Sequence, residues 1–240
     1  RLTDVSGGVC YGIAVVASVL PASLSASALT WSEPLITLVF SAAVLVMMRY
    51  LDGGAFGTGA VAIALSGVGA LAHGRLLPLF VIVTAIVVVY GFRIDPWRGF
   101  AAGGIAVVSL ICVLVVTSFV HAGVWDQPGD ANSIGTTLGR LSDPVAVMGS
   151  LLGQVWYQLV TTLMVVGFGI AVLVRRATGP SVPGSARRRD ARVVLAMTVP
   201  LVAVSVVFRA QTGRPDFAIY GRYNDAVAGP VLVVGFAWLW

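Results

Sequence analysis

Residues 99–121 read GFAAGGIAVVSLICVLVVTSFVH, with no Asp, Glu, Lys or Arg among them. At about 1.5 Å per residue a helix of this length crosses the roughly 30 Å hydrocarbon core of a bilayer. In water such a run would need wrapping on every side by polar protein. The rest of the chain cannot supply it: of 240 residues 58% are hydrophobic and 10% charged, and the mean hydropathy is +0.95. Soluble domains carry about 25% charged residues, because their outside must face water. Seven further apolar runs lie at 5–21, 34–51, 56–73, 76–92, 152–174, 193–208 and 226–240. The expected fold is therefore all-α, a single polytopic transmembrane bundle over 1–240 with about eight membrane helices. Only the short polar step His73-Gly74-Arg75 divides the third run from the fourth.

Orientation follows from the arginines, which favour the cytoplasmic side of membrane helices. Segment 175–192 holds Arg175, Arg176, Arg187, Arg188, Arg189 and Arg192 among Pro, Gly and Ser, so it reads as a flexible cytoplasmic loop. Alternation from there places Arg1, Arg49, Arg93 and Arg98 on the same side, ten arginines against five outside, a bias that supports the count of spans. The outer loops are then 122–151 and 209–225. The same clustering explains the net charge of +5 without nucleic acid. Cys10 and Cys112 both lie in apolar runs and read as buried inert thiols, with no disulfide or metal framework. Gly57, Gly59, Gly67, Gly69, Gly167 and Gly169 allow helices to approach closely.

Three segments on the outer side carry more than topology requires. Ser32-Glu33-Pro34 opens a helix: Pro suits its first turn, and a carboxylate meets the positive end of the dipole. A capped helix start explains it as well as a carboxylate held beside a reaction site. Gly153-Gln154-Val155-Trp156-Tyr157 is either an aromatic belt or a polar and aromatic platform for a sugar or lipid headgroup. Segment 213–225 packs Arg214, Asp216, Tyr220, Arg222, Tyr223, Asn224 and Asp225 between two apolar runs. Self-paired salt bridges are the plain explanation. Arginine also suits phosphate, by fork geometry and permanent charge, while Tyr and Asn suit hydroxyl-rich ligands. No metal pair at helical spacing, Walker loop or nucleophile elbow is present in the sequence.

At these residues the chain resembles the GT-C superfamily of integral-membrane glycosyltransferases, which use polyprenyl-phosphate-linked sugars. The resemblance lies in Pro21 followed by Ser32-Glu33-Pro34, in Gly-Gln-x-Trp-Tyr at 153–157, and in Tyr-Gly-Arg-Tyr at 220–223. The branch it looks like is actinobacterial, which implies the cytoplasmic (plasma) membrane of a bacterium. Sugar would pass from a lipid-linked donor to an extracytoplasmic acceptor, with the donor and membrane lipids as partners. The resemblance gives Arg222 and Arg214 the departing phosphate, with Asp216 or Asp225 holding a guanidinium and Tyr220 and Tyr223 bordering the sugar. Glu33, Gln154 and Tyr157 complete the substrate-binding set, Glu33 facing the 213–225 loop if its helix neighbours the last one. The family's catalytic carboxylate lies in the first outer loop, and no acidic loop of that kind appears here. The chain starts at Arg1 and ends in an apolar run at Trp240, so both ends are read as truncations and no catalytic residue is named. Some members use a divalent metal and others none. The competing class is a transporter or flippase, for which polar groups in helix interiors would be the mark. Here those interiors read as nearly free of charge.

Overall fold

The computed structural model describes residues 12, 13, 15, 33–124, 134–180, 185–210 and 224–239. Among them every regular element is helical. The helices are α1 (Glu33–Gly53), α2 (Phe56–Ala72), α3 (Leu77–Ile94), α4 (Pro96–Val124), α5 (Ile134–Gly139), α6 (Pro144–Thr161), α7 (Val165–Thr178), α8 (Ala186–Arg209) and α9 (Asp225–Leu239). Short 3-10 turns at Gly74–Leu76 and Arg140–Ser142 precede α3 and α6.

Four helices, α1, α3, α4 and α8, are long and apolar enough to cross a membrane, and α6 with α7 adds a fifth if that bent pair is one span. The expected count of about eight is thus corrected to four or five among the described residues. The reason is length. Helix α2 has 17 residues, about 26 Å, and the apolar part of α9 is Val227–Leu239. The 5–21 run lies outside the described residues except for 12, 13 and 15. Large apolar side chains such as Leu38, Leu45, Val81, Val107 and Leu114 are exposed on the helix surfaces. A hydrocarbon surround accommodates them at no cost, so the helix set is compatible with an integral membrane protein. Cys112, expected to be buried, is exposed on α4, as suits a small apolar side chain facing lipid.

Small residues set the helix spacing. A side chain on Gly59 would strike the Tyr50 ring and Val87, which closes α1 and α3 on α2. Between α7 and α9 the backbones themselves meet. A Cβ on Gly169 would run into the Val231 carbonyl, and one on Gly235 into the Val165 carbonyl. Tyr50 donates to the Val87 carbonyl at 3.1 Å, Tyr90 to the Leu51 carbonyl at 3.1 Å, and the two rings meet edge to face.

One end of the bundle collects arginines. Arg98 donates to the Gly54 carbonyl at 2.9 Å, and Arg189 to the Leu51 carbonyl at 2.9 Å and to Asp52. Arg188 and Arg192 both donate to the Ala177 carbonyl. Thus the ends of α1, α3 and α7 and the starts of α4 and α8 lie together. At the far end of α8, Arg140 donates to the Phe208 carbonyl and its guanidinium lies 5.1 Å from that ring's centre.

The run 152–174 is not one helix. Helix α6 starts earlier, at Pro144, where Asp143 caps it by accepting from the Ala146 N–H at 2.9 Å. It stops at Thr161, and α7 leaves at 109°. The outer segment 122–151, expected to be mostly irregular or partly helical, contains the end of α4, all of α5 and the first turns of α6.

Candidate functional site

Helix α6 carries Ser150, Gln154 and Gln158, four residues apart and therefore on one face. All three are buried. They face the last turns of α8 and the start of α9. Gln154 makes four hydrogen bonds, the full capacity of a side-chain amide. Its amide nitrogen donates to Ser150 Oγ at 2.9 Å and to the Ser205 carbonyl at 3.4 Å. Its oxygen accepts from Ser205 Oγ at 3.0 Å and from Asn224 Nδ2 at 2.6 Å. Ser150 in turn donates to the Val206 carbonyl at 2.9 Å. One turn on, Gln158 Nε2 donates to Asp225 Oδ1 at 2.7 Å, and Tyr157 OH donates to Asp225 Oδ2 at 3.2 Å.

The carboxylate of Asp225 is 6% exposed. It stands in the first turn of α9, where the helix dipole favours negative charge, and two donors hold it. Desolvating a carboxylate costs several kcal/mol unless such partners replace water. A cavity of about 190 Å³ opens beside these groups. Gln154, Gln158, Thr198 and Asn224 form its polar side; Val166, Ile170, Val202, Val227 and Val231 form much of the apolar side. Among the described residues the Thr198 hydroxyl, 6% exposed, has no hydrogen-bond partner. The volume is below the 300–1,000 Å³ of drug-sized ligand sites, so it suits one small polar group.

The break between α6 and α7 borders this cavity through Leu159 and Val166. Leu163 and Met164 have φ of 50° and 66°, the left-handed region that costs a non-glycine residue of order 1–3 kcal/mol. Helix α6 ends as a Schellman turn: Met164 N donates to the Leu159 carbonyl at 2.6 Å and Leu163 N to the Val160 carbonyl at 3.2 Å. Thr162, fully buried, donates to the Gln158 carbonyl and accepts from Val166 N at 3.4 Å. Its hydroxyl therefore bridges the last turn of α6 to the first turn of α7.

Of the residues expected from sequence, the structure brings Gln154, Tyr157 and Asp225 together. Trp156, between the first two, is 62% exposed and faces away from the cluster. Glu33 is the first residue of α1, and its side chain lies outside the described set. The helix-neighbour condition is met, since a Cβ on Gly229 of α9 would lie 3.6 Å from Ser41 Oγ of α1. Arg214, Tyr220, Arg222 and Tyr223 lie outside the described residues. Sequence reading missed Ser150, Gln158, Thr198 and Ser205 as site residues. The spacing of Ser150, Gln154 and Gln158 was a usable signal. Ser205 and Thr198, lone hydroxyls in an apolar run, offered none. Among the described residues no three His, Cys, Asp or Glu side chains are grouped to hold a metal. The cluster's single carboxylate, already held by Tyr157 and Gln158, does not make the donor set of a divalent cation. Comparison of the chain with protein-family models, curated proteins and solved structures finds no match.

Proposed function

We propose that the chain is the donor-handling part of a membrane glycosyltransferase, holding the sugar of a polyprenyl-phosphate-linked donor at the Gln154–Asp225 cluster for transfer to an extracytoplasmic acceptor. One observation carries the reading: Tyr157, in the 153–157 segment that resembles the GT-C enzymes, and Asp225, two residues beyond the resembling 220–223 segment, are bonded to each other across 68 residues, beside a cavity that Gln154 lines. The lining chemistry supports it. Each sugar hydroxyl both donates and accepts, and the amide side chains of Gln158 and Asn224 with the Thr198 hydroxyl answer both needs. The apolar wall suits the C–H face of a sugar ring. In transfer, the acceptor oxygen bonds to the anomeric carbon as that carbon's bond to the phosphate oxygen breaks; the polyprenyl phosphate leaves and the acceptor's hydroxyl proton is released to water. Arg222, two residues before Asn224 in the chain, and Arg214 are assigned to that phosphate by their chemistry. No residue is assigned as the base.

The test is transfer from a labelled polyprenyl-phosphate sugar by the full-length protein in liposomes. Asp225→Asn and Arg222→Ala each lower turnover about a hundredfold, with Arg222→Lys between them and the wild type. Normal donor affinity and turnover in both variants overturns the assignment.

A second reading, a transporter or flippase, is favoured by the break between α6 and α7. Helices interrupted at membrane depth often line substrate paths, because unwound backbone there must face a cavity. The same liposomes separate the two: a transporter moves the labelled lipid between leaflets and forms no glycosylated product.

A further inference from the structure

A second cavity, of about 550 Å³, lies at the arginine end between α3 and α8. Arg93, Arg188, Arg189 and Arg192 line it on one side, and Ile86, Val89, Val193 and Ala196 on the other. Both helices are membrane spans by length and composition. Val89 and Ala196 are exposed, so the cavity is a groove open to the hydrocarbon-facing surface and rimmed by cations at its helix-end side.

The charges are not balanced. Asp52 and Asp190 both pair with Arg189. Among the described residues no ion pair involves Arg93, Arg188 or Arg192. Arg188 and Arg192 are pinned side by side, since each donates Nε to the same Ala177 carbonyl, at 3.2 and 3.1 Å. That bond uses one nitrogen of each guanidinium and leaves the forked terminal nitrogens for another oxygen. Two like charges fixed so close repel unless an anion lies against both.

We propose that this groove binds one anionic phospholipid, its phosphate held by Arg93, Arg188 and Arg192 and an acyl chain lying along Ile86, Val89 and Val193. The amphipathic lining selects a lipid over a soluble anion. A free phosphate would leave the apolar wall unused, whereas a lipid fills both halves, with the arginines at headgroup depth. The site is independent of sugar transfer and lies where α8 meets α3, not where it meets α6 and α9.

The experiment is native mass spectrometry of the full chain released from micelles that contain dioleoyl phosphatidylglycerol or dioleoyl phosphatidylcholine in turn. One phosphatidylglycerol is retained with roughly tenfold or greater preference over phosphatidylcholine. Arg188→Gln with Arg192→Gln removes most of that preference, while Arg175→Gln, outside the groove, leaves it intact. The Arg93 side chain makes no hydrogen bond or ion pair among the described residues, so Arg93→Gln is the variant that keeps the fold if the double change disturbs it, and it lowers retention severalfold. Equal retention of the two lipids by the wild type overturns the proposal, as does an unchanged preference in folded Arg93→Gln. Displacement of phosphatidylglycerol by millimolar inorganic phosphate also overturns it, since the occupant would then be a soluble anion.

Discussion

Helices α1 and α6 both end in left-handed backbone, yet they use different residues to do it. After α1 the residue is Gly54, φ 62°, whose N–H donates to the Tyr50 carbonyl at 2.7 Å. Glycine takes that conformation without strain. After α6 the residues are Leu163 and Met164, both exposed, and neither is suited to it. The surroundings differ in the same way. The contact of α1, α2 and α3 is apolar, closed by Gly59 and two tyrosines that spend their hydroxyls on backbone carbonyls. The contact of α6, α8 and α9 holds a buried carboxylate, three amide side chains and two serines bonded to one another or to backbone. The interior of the first contact is mainly packing, and the second holds polarity, with a strained turn beside it, that packing does not need. Such features concentrate at functional sites.

The sharpest break of this contrast is Gln154→Leu, which strands Ser150, Ser205 and Asn224 without their partner. It should cost about 2–3 kcal/mol in detergent-titrated unfolding. Ser66→Ala in α2 loses only a bond to its own helix, to the Ile63 carbonyl at 2.8 Å, and should cost less than about 1 kcal/mol. Equal costs would mean the two interiors are energetically alike. A smaller effect is expected at the α7–α9 crossing. Gly169→Ala drives a methyl into the Val231 carbonyl and should cost about 2 kcal/mol. Gly104→Ala, where nothing lies within 4 Å, should be neutral or slightly stabilising. Smallest, and decisive for the break, is Leu163→Gly. With left-handed backbone there it should stabilise the fold by about 1 kcal/mol. If α6 and α7 instead form one continuous helix in the membrane, the same change should destabilise by about the same amount.

Arg140, in the 122–151 segment, has a contact that no local pattern announces: its guanidinium bonds the Phe208 carbonyl, 68 residues on, and lies over that ring. Through this contact α6 is anchored on the end of α8, close to the polar cluster. The break between α6 and α7 was hidden for a related reason. Thr161-Thr162-Leu163-Met164-Val165 contains no Gly, Pro or Asn, so every local stop signal is missing.

The all-helical class and the apolar outer surface follow from the sequence by itself. A run such as 99–121 can hide neither its side chains in water nor its backbone polar groups in lipid, and a helix satisfies both demands within the segment. The end of α1 at Gly54 is equally local, since only glycine adopts that backbone without strain. Tertiary structure alone decided the break at Leu163, the meeting of Gln154, Tyr157 and Asp225, and the pairing of Arg188 with Arg192 on Ala177. The last two depend on partners many residues away, while the break is held by bonds within a few residues together with packing from α9. The Thr162 hydroxyl and the packing of Gly169 against Val231 help to hold a turn that its own residues disfavour, and the polar face of α6 finds its partners only when α8 and α9 have closed over it.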